Sequence, residues 1–552
     1  MIEYNLILED GRNIVVEKGR TFKDILEEYY GEFKNTVALC RLNYEYYELN
    51  SEINESGNLS LVLFDSSLGM SIYKRTLQFI FVKATLDIFP NSKITIEHSI
   101  SKCIFGEIHK KLSLTKEDVE KIKTRMIEII EENLEVQKER VSIEKAIDIF
   151  EEYGMEDKVS LLRHIDKDWI DLCKIEDRYD YFYGLMASNT GVIKVFDLKY
   201  YEPGFILRYP ENYGDVELPE VTEQKKLFNI FYETEKWLEI LEVGDVGSLN
   251  SKIEEGKKRE LVMVSEALHE KKIAYIADNI ANKSGVKMVL IAGPSSSGKT
   301  TFSKRLSIQL RVNGFIPVPI SLDDYFVNRE DNPRDENGEY DFESIKSVDL
   351  ITLNDHFIRL LNGEEVQIPA YNFKTGRREW RGDTLKLPKN GIIIVEGIHA
   401  LNPELTLKVA EENKYKVYIS ALTQLNLDNH NRIKTTDVRK IRRIVRDYLS
   451  RGYGAEETLK MWPSIKRGEK KNIFVYQEEC EDMFNSTLVY ELSVLKPFAL
   501  KELEKIKKDS PVYAEAYRLK SFLSFFKEIP MEYVPENSIF REFIGGSCFY
   551  DY

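Results

Sequence analysis

The sequence lacks the features that mark secreted, membrane-bound or metal-ribbon proteins. Its 552 residues contain only five cysteines, scattered and without a C-x-x-C pair, so neither a disulfide framework nor a zinc ribbon is indicated. The N-terminus has early acidic residues and no basic segment, and the most apolar stretch, residues 77–89, is interrupted by Lys83 and Asp87. We therefore expect no signal peptide and no membrane span, and a reducing cytoplasm fits best.

An excess of positive charge is also missing. Lys and Arg total 78 whereas Asp and Glu total 93, which gives a formal net charge of −15. This balance disfavours a general coat for nucleic acid or anionic membranes, so a polyanion would have to meet a local basic patch. The composition, 43% hydrophobic and 31% charged, is that of a globular protein. A chain of this length predicts about three or four domains.

The first unit that the sequence predicts is a small α+β module over residues 1–65. Residues 3–8 and 13–16 are typical of the two strands of a hairpin. Thr21 is expected to cap a helix that runs to Tyr29, and two later apolar runs supply further strands. We expect this module to end near Asp65, where the strand pattern gives way to a helical one.

Four more units follow along the chain. Residues 66–222 mix helical and strand patterns, and residues 223–285 show charged helical patterns without proline, which predicts a helical connector. In residues 286–500, apolar strands alternate with helices, which predicts an α/β domain with a parallel, doubly wound sheet. Residues 501–552 predict a helical tail whose helix has Ser510 at its N-cap and proline at its first position.

The strongest signal is a phosphate-binding pattern directly after an apolar strand. The segment Gly293-Pro-Ser-Ser-Ser-Gly-Lys-Thr300 fits G-x-x-x-x-G-K-S/T and is followed by a helical pattern. Phosphates need a loop of unobstructed backbone N–H donors at the positive end of a helix. Lys299 can neutralise the β- and γ-phosphates, and the Thr300 hydroxyl can coordinate Mg²⁺. The residues predicted to bind ATP are Gly293, Pro294, Ser295, Ser296, Ser297, Gly298, Lys299, Thr300 and Thr301.

Acidic residues at two further strand ends predict the rest of the site. An apolar strand ends in Ser321-Leu-Asp-Asp-Tyr-Phe326, which places two carboxylates at the carboxyl edge of the sheet, where ligands of such folds bind. We expect Asp323 to accept the proton of an acceptor hydroxyl, with Asp324 as the fallback. The alternative for Asp323 is a loop turn or an outer-sphere Mg²⁺ ligand. Glu396 ends another strand and is expected to hold Mg²⁺ through water, or to be an ordinary strand-end carboxylate.

A basic helix face lies further along the same domain. Arg439, Arg442, Arg443 and Arg446 recur at i, i+3, i+4 and i+7, and Arg451 follows at the end of the helix. One interpretation is a solvated basic stripe or an RNA contact. The interpretation that we favour is a lid whose guanidiniums clamp the moving phosphates, because the phosphate loop lies in the same domain.

The order of these motifs resembles the uridine kinase and phosphoribulokinase family of P-loop proteins. The segments that carry the resemblance are residues 293–300, 323–326, 340–342, 368–373, 395–398, 442–447 and 451–452. It implies an Mg²⁺- and ATP-dependent kinase in which Asp323 deprotonates a nucleoside 5′-hydroxyl. Its other implied roles are acceptor binding by Tyr325, Asp341, Tyr371 and Phe373, catalysis with Lys299, and approach of Arg446 and Arg451 to the phosphates.

Three positions depart from the uridine kinase pattern on the side that reads the base. Gly376 stands where those kinases carry a histidine, and lid positions expected to be Arg and Gln are Tyr453 and Met461. The missing polar groups would have read uracil, and such groups discriminate far better than apolar contacts. The predicted acceptor is therefore a nucleoside, with a pyrimidine nucleoside first, and the alternative is a sugar phosphate or another small hydroxyl compound. The segment 421–437 is also longer than its family counterpart, which predicts a remodelled lid.

The N-terminal half resembles the front of threonyl-tRNA synthetases, first a TGS-like (β-grasp) module and then their second additional, editing-type domain. The segments that carry this resemblance are residues 10–11, 17–21, 41–43, 88–90, 94–96 and 189–191. In alignment, the metal-binding His, His, Cys and His of that domain fall at Arg75, Phe79, Phe182 and Met186. No metal set survives, so we expect no hydrolytic editing, and His98 and His109 are predicted to be structural.

The resemblance of the N-terminal half leaves two partner questions open. It allows a tRNA or RNA contact, and a rival interpretation of the whole chain is an RNA-binding regulator whose ATP site drives a conformational switch. An oligomer is equally allowed. The terminal segment 534–547 belongs to neither resemblance, and we predict a docked structural tail there.

Overall fold

The computed structural model describes residues 2–31, 36–100, 103–221, 224–334, 338, 340–423 and 425–550. It is a mixed α/β structure with a parallel sheet in the C-terminal region, and the predicted fold class is confirmed. Across these ranges, no helix has the length and apolar content needed to cross a membrane. The division of the chain into the five predicted units stays a prediction.

The N-terminal module is a five-stranded sheet of order β2-β1-β5-β3-β4 with one helix. Its elements are β1 (Glu3–Ile7), β2 (Asn13–Glu17), α1 (Phe22–Tyr29), β3 (Val37–Leu42), β4 (Glu45–Tyr47) and β5 (Gly57–Leu63). The predicted hairpin and the predicted helix are both present. Helix α1 begins after Thr21, whose hydroxyl accepts the Asp24 N–H while the Asp24 carboxylate accepts the Thr21 N–H, which is a capping box. Residues Phe22, Ile25 and Leu26 bury the inner face of this helix.

The second region contains a four-stranded antiparallel sheet, β11-β12-β7-β6, and a three-stranded one, β10-β9-β8. Its elements are α2 (Ser67–Ile88), β6 (Lys93–Ile100), β7 (Cys103–His109), α3 (Lys116–Glu131), β8 (Gln137–Ser142), α4 (Ile143–Glu152), α5 (Glu156–Arg163), β9 (Trp169–Ile175), β10 (Arg178–Asp180), β11 (Asp197–Tyr201) and β12 (Gly204–Arg208). Helix α2 is buried on most sides, since it packs inside the core that this region shares with the N-terminal module.

The predicted connector is helical and contributes to the next core. It holds α6 (Lys225–Leu241), α7 (Val246–Glu254) and α8 (Lys258–Asn282). Ile273, Ile276 and Ile280 of α8 pack with the apolar side chains of the parallel sheet and of the helix that follows the phosphate loop. The connector is therefore one wall of the parallel-sheet domain rather than a free linker.

The parallel sheet has the order β14-β19-β13-β20-β23. The elements of this region are β13 (Met288–Ala292), α9 (Lys299–Val312), β14 (Ile316–Ser321), α10 (Leu350–Leu361), β15 (Glu365–Gln367), β16 (Ala370–Asn372), β17 (Arg377–Glu379), β18 (Thr384–Lys386), β19 (Gly391–Glu396), β20 (Lys414–Ser420), β21 (Asn426–Asp428), β22 (Asn431–Arg432), α11 (Thr435–Arg446), α12 (Ala455–Asn472), β23 (Asp482–Asn485), α13 (Glu491–Leu503), α14 (Tyr513–Leu523) and α15 (Arg541–Ile544). The central strand β13 is buried on both faces, as parallel strands usually are, and the predicted doubly wound sheet is confirmed.

The C-terminal segment differs from its prediction in two ways. Helix α14 begins at Tyr513 rather than after Ser510, because the Ser510 hydroxyl accepts the Val512 N–H and closes a turn before the helix. After Leu523 the chain is mostly turns up to the four-residue helix α15. Pro530 and Pro535 fall in this stretch, and proline supplies no N–H for a continuing helix.

The long segment 421–437 joins the parallel-sheet domain to the second region, where a remodelled lid was expected. Its hairpin, β21 with β22, is bonded to strand β6: the Ile96 N–H donates to Asn429 O at 2.8 Å, Asn426 Nδ2 donates to Ile96 O at 2.9 Å, and Arg432 Nη1 donates to the Ser99 hydroxyl at 3.0 Å. The side-chain oxygen of Asn431 also accepts the Tyr183 N–H. The extra length is therefore an anchor, and we call residues 426–432 the anchoring hairpin.

A buried ion cluster fixes the anchoring hairpin. Lys158 Nζ lies 3.0 Å from Asp180 and 3.0 Å from Asp428, and no side chain of the three is more than 1% exposed. His430 Nδ1 lies 2.8 Å from the second oxygen of Asp180. Burial alone would lower the pKa of Lys158, but the two carboxylates raise it above its usual value. The lysine is therefore held charged between two anions.

Replacing Lys158 with methionine is expected to cost about 3–5 kcal/mol of stability, because the change leaves two buried carboxylates without their cation. The midpoint of urea unfolding of the full chain measures this. Arg163→Met is the control, since Arg163 pairs with Glu151 on the surface, where such a pair contributes about 0–1 kcal/mol. Equal midpoints for the two variants would show that the cluster does not hold the anchoring hairpin.

Candidate active site

The phosphate loop connects strand β13 to helix α9, and two of its glycines have no room for a side chain. A Cβ on Gly293 would meet Ile419 O at 2.0 Å. Gly298 has φ +83°, a conformation that L side chains rarely adopt, and a Cβ there would meet Ile539 Cγ2 at 2.5 Å. The pattern G-x-x-x-x-G-K-T therefore folds as a tight loop against strand β20.

The interior of the loop suits the phosphates of a nucleotide. The hydroxyls of Ser296 and Ser297 are buried and have no hydrogen-bond partner among the described residues. Lys299 is half-buried, and its Nζ donates to Pro294 O at 3.1 Å. Burial lowers the pKa of Lys299, and the nearby Glu396, Asp323 and Glu542 carboxylates oppose that shift. The donors at the N-terminus of α9, the two hydroxyls and the ammonium group together fit a polyphosphate.

Glu396 lies at the centre of the carboxyl edge of the sheet. Strands β14 and β19 are neighbours, so Ser321 lies opposite Glu396, and its hydroxyl donates to Glu396 Oε1 at 3.2 Å. The Thr300 hydroxyl donates to the same oxygen at 3.3 Å. Burial and the charge of Asp323 raise the pKa of Glu396 to about 7. Hydroxyl and carboxylate oxygens are the ligands that Mg²⁺ prefers, so Thr300 and Glu396 would hold Mg²⁺, which would neutralise phosphate charge.

The structure gives the two aspartates after β14 different surroundings. The Asp324 carboxylate accepts the Tyr371 N–H at 3.1 Å and so holds the β16 strand in place. The Asp323 carboxylate accepts no hydrogen bond from any group in the described part of the chain, and it is close enough to influence the pKa of both Lys299 and Glu396. Asp323 is thus the carboxylate that is available to an acceptor, and Asp324 is structural.

Tyr325 does not lie where its predicted role requires. Its side chain is buried, only 1% exposed, and its hydroxyl lies 2.9 Å from His356 Nδ1 on helix α10. The ring therefore supports the turn Leu322–Tyr325 from below and cannot contact an acceptor in this structure. Packing of the ring in one apolar cluster with Leu353 and Phe357, together with the contact to His356, sets this orientation.

The other predicted acceptor-binding residues form a partly exposed aromatic surface. The rings of Tyr371 and Phe373 lie edge to face with their centroids 5.1 Å apart. The Arg451 guanidinium lies 4.8 Å from the centroid of Phe373. Asp341 lies in a turn where its carboxylate accepts the Glu343 N–H at 3.2 Å. Their roles in binding an acceptor stay predictions.

The space above Gly376 is filled by Arg329, which sequence reasoning missed. A Cβ on Gly376 would meet Arg329 Nε at 2.8 Å. The Arg329 N–H donates to Gly376 O at 2.8 Å, and Nη2 donates to Phe373 O at 2.9 Å. Burial raises the pKa of Tyr371, and the charge of Arg329 opposes that shift. A guanidinium therefore lies beside the aromatic surface, next to Gly376, the position at which the resemblance led us to expect a histidine.

The arginines of helix α11 are buried against the phosphate loop, so the solvated-stripe interpretation is wrong. Arg439 Nε donates to Ser295 O at 2.9 Å, and Arg443 Nη1 donates to the Ser295 hydroxyl at 2.7 Å. Arg442 donates to Ser296 O at 3.3 Å and is ion-paired with Glu491. These three side chains hold the loop in place by hydrogen bonds from its outer side. The helical spacing of the arginines in the sequence did not indicate this contact.

The two arginines predicted to approach the phosphates share one buried anion. Arg446 lies 2.7 Å and Arg451 3.8 Å from the Asp447 carboxylate, which is also paired with Arg443. Burial pushes the pKa of Asp447 up, but the guanidiniums hold it below its usual value. Burial and the Arg446 charge lower the pKa of Arg451 to about 10. Arg446 also lowers the pKa of Lys299, so its charge acts at the phosphate loop.

The C-terminal segment docks as predicted, and it docks on the phosphate loop, which was not predicted. Ile539 packs against Gly298, and the Glu542 carboxylate accepts the Thr301 N–H at 3.1 Å. The Thr301 hydroxyl donates to the same carboxylate oxygen and lies 3.1 Å from the Tyr550 hydroxyl. No local pattern in the sequence links these residues to a loop about 240 positions earlier.

The four positions of the lost metal set come together in the second region. The rings of Phe79 and Phe182 lie 5.1 Å apart, and the Arg75 side chain lies against Gly184. Phe79, Phe182 and Met186 are buried in one apolar cluster. These side chains offer no ligand to a metal, and among the described residues no group of three or more His, Cys, Asp or Glu is placed to hold one.

The second region contains three histidines, of which His98 and His109 are the two predicted to be structural. His98 is buried with its ring stacked on Phe231 at 4.0 Å, and burial lowers its pKa to about 3. His109 is exposed, and its Nε2 lies 3.4 Å from the Thr95 hydroxyl.

Comparison with known proteins gives a separate result for each half. Residues 288–476 match the Phosphoribulokinase / Uridine kinase family. A threonine–tRNA ligase of Clostridium tetani (strain Massachusetts / E88) is 29% identical over 195 residues, which are 35% of this chain and 30% of the ligase. A threonine–tRNA ligase of Geobacillus sp. (strain WCH70) is 28% identical over 34% of this chain and 30% of the ligase. The chain thus spans about 30% of the length of the curated relatives that it matches.

Among solved structures, a possible uridine kinase from Bacillus stearothermophilus is 26% identical, with 27% of this chain and 79% of that chain covered and a TM-score of 0.23. D-glycerate 3-kinase from Cryptococcus neoformans var. grubii serotype A is 14% identical, with 46% and 87% covered and a TM-score of 0.21. The family match covers residues 288–476, and the match to threonine–tRNA ligases lies in the N-terminal region; both agree with the resemblances that the sequence motifs indicate.

Proposed function

We propose that this protein is an ATP-dependent kinase that phosphorylates the 5′-hydroxyl of a nucleoside, giving a nucleoside monophosphate and ADP. The observation that carries the proposal is the junction of three motifs at one sheet edge. Thr300 of the phosphate loop and Ser321 of β14 both bond to Glu396, and the turn that begins after Ser321 carries Asp323, whose carboxylate has no hydrogen-bond partner among the described residues. This arrangement supports a donor site beside a proton acceptor.

The chemistry expected of these residues is positioning and charge neutralisation. The acceptor oxygen forms a bond to the γ-phosphorus, the bond from that phosphorus to the β–γ bridging oxygen breaks, and Asp323 takes the acceptor proton. Lys299 stabilises charge on the transferred group and on the departing ADP. Arg446 and Arg451 would add positive charge near the phosphates, and the Asp447 carboxylate, with which both are paired, would hold their guanidiniums in place.

A second acceptor class is favoured by one observation, the guanidinium of Arg329. Among the described residues, the hydrogen bond given for this guanidinium goes to a backbone carbonyl, Phe373 O, so it is not committed to a carboxylate. A planar fork of N–H donors suits a phosphate or carboxylate better than a neutral base. We therefore retain a sugar phosphate or another small anionic hydroxyl compound as the alternative to a nucleoside.

Arg329→Gln separates the two acceptor classes. If the acceptor is a sugar phosphate, KM for it should rise about 10-fold to 100-fold, because a hydrogen bond to a charged group is lost. If it is a nucleoside, KM should change by less than about 3-fold. Labelled ATP with panels of nucleosides and sugar phosphates identifies the acceptor and gives both constants. Arg377→Gln is the control, since Arg377 is exposed beside Gly376 and pairs with Glu330.

The results of the acceptor panel also decide which parts of the proposal are rejected. If no nucleoside in the panel is phosphorylated while a sugar phosphate is, then the acceptor in our first proposal is wrong and the kinase assignment stands. If labelled phosphate reaches only water, no acceptor hydroxyl is used and both candidates fail. An RNA contact is not part of the proposal, because the N-terminal match is its only support and the net charge of −15 weighs against it.

A further inference from the structure

The C-terminal segment places a carboxylate on the phosphate loop. Glu542 Oε2 accepts two hydrogen bonds from one residue, from Thr301 N at 3.1 Å and from Thr301 Oγ1 at 2.9 Å. Thr301 is fully buried and follows the Lys299-Thr300 pair in the first turn of helix α9. The N–H donors of this turn lie at the positive end of the helix dipole, where anions are stabilised.

The contact is part of a docked segment and not of one side chain. Ile539 packs against Gly298 and joins the apolar cluster that contains Phe302 and Phe484. The Tyr550 hydroxyl lies 3.1 Å from the Thr301 hydroxyl, and its ring lies 5.2 Å from Lys304 Nζ. Residues 534–550, which we call the docked tail, thus cover the first turn of α9.

The docked tail also carries its own internal support. Arg541 Nη2 donates to Val534 O at 2.6 Å and to Met531 O at 3.1 Å, which holds the turn before α15. The Ser538 hydroxyl bonds to Glu266 of helix α8. These bonds fix the backbone of the tail without Glu542, so the Glu542 carboxylate is presented to Thr301 by a preformed turn.

A nucleotide and the Glu542 carboxylate need the same donors. The backbone N–H groups of a phosphate loop cradle the α- and β-phosphates, and the loop here ends at the Thr301 N–H. A phosphate at that N–H would meet a carboxylate at hydrogen-bond distance, and two anions cannot share one donor pair without strong repulsion. We propose that the docked tail is autoinhibitory: the Glu542 carboxylate occupies the α-phosphate donors of the loop, and a bound nucleotide displaces the turn that carries Glu542 from Thr301, while the buried apolar side chains of the tail stay packed.

This proposal rests on the proposed nucleotide site but not on the acceptor. If a nucleotide binds only those molecules in which Glu542 has moved off Thr301, its apparent affinity is reduced in proportion to their fraction. The expected effect is a change in nucleotide affinity. It can be measured without altering any residue that is predicted to contact the acceptor.

Two variants of the full chain test the proposal through nucleotide binding. Glu542→Gln keeps the size of the side chain and removes its charge, and we expect the dissociation constant for ATP, measured by titration calorimetry, to fall about 10-fold or more. Glu536→Gln is the matched control, because Glu536 is an exposed carboxylate of the same tail and its loss should leave the constant unchanged. An equal or weaker affinity for Glu542→Gln would show that the carboxylate is only a cap for helix α9 and would overturn the proposal.

Hydrogen exchange of the unaltered chain gives a test that needs no variant. ATP should increase amide exchange in residues 541–545, the turn that carries Glu542, as it decreases exchange in residues 293–301. Decreased or unchanged exchange in this turn on ATP binding would contradict the displacement of Glu542 while leaving the nucleotide site intact. If ATP changes exchange in neither segment and calorimetry detects no binding, the proposed nucleotide site itself fails, and the tail proposal fails with it.

Discussion

Lys299→Ala is expected to reduce the turnover of phosphoryl transfer by about 1,000-fold or more. The ammonium group is the loop's own cation, and it lies close to the Glu396 and Asp323 carboxylates, which would otherwise leave this edge of the sheet strongly negative. Its removal takes away the charge that stabilises the transferred group and the departing ADP. Single-turnover measurements with labelled ATP and the identified acceptor give the rate.

The control for this variant comes from the same helix. Arg311→Ala removes an exposed cation at the other end of α9, far from the loop, and it should leave turnover within about 2-fold of the unaltered chain. Nucleotide affinity is measured for both variants, so that lost binding is separated from lost chemistry. Turnover of Lys299→Ala above one-third of normal would mean that another cation performs the role assigned to Lys299.

Asp323→Asn is expected to lower kcat about 100-fold to 10,000-fold while leaving the affinity for ATP nearly unchanged. The amide keeps the shape of the side chain but cannot take the acceptor proton. Since no described group bonds to the Asp323 carboxylate, the change should not disturb the fold. The rate and the ATP dissociation constant are measured on the same preparation.

Asp324→Asn is the matched comparison for that prediction. Asp324 is adjacent in sequence but is bonded to the Tyr371 N–H, so its change should act on the position of β16 and hence on KM for the acceptor. A variant Asp323→Asn with full activity would exclude Asp323 as the base. A loss of kcat in Asp324→Asn equal to that of Asp323→Asn would leave the two carboxylates without distinct roles.

The features that the sequence predicted well are those set by local patterns. The apolar run before Gly293 forms a strand because its residues can be buried on both faces of a parallel sheet, and the glycines then fix the loop. The helix start at Thr21, where Thr21 and Asp24 form a capping box, is likewise set by residues that are close in sequence. The helical spacing of Arg439 to Arg446 located a helix correctly, but spacing carries no information about what covers the helix face.

The features that escaped prediction depend on contacts between distant parts of the chain. Glu542 and Thr301 are 241 residues apart, and the pair is visible only once the tail has folded back. Arg329 and Gly376 belong to different loops, so the loss of a histidine at 376 did not reveal what replaces it. Lys158 and Asp428 lie in two different domains of the predicted division. Nothing in the sequence near either residue indicates that the two form an ion pair.

The anchoring hairpin gives the N-terminal half a defined structural relation to the kinase site. The hairpin ends at Arg432, and helix α11, whose arginines brace the phosphate loop, begins at Thr435. Its position is set by Lys158 and by strand β6 of the second region. The region that matches threonine–tRNA ligases therefore supports the element that packs against the loop, and this function needs no metal set.

The central claim is that the loop around Lys299 holds a nucleoside triphosphate whose outermost phosphoryl group passes to an alcohol beside Asp323. The most direct measurement follows γ-labelled ATP incubated with the acceptor panel, for the unaltered chain and for Lys299→Ala and Asp323→Asn. We predict that label appears on the hydroxyl of one acceptor class and is lost in both variants. Label found only in inorganic phosphate, or transfer that is unchanged in both variants, would contradict the account.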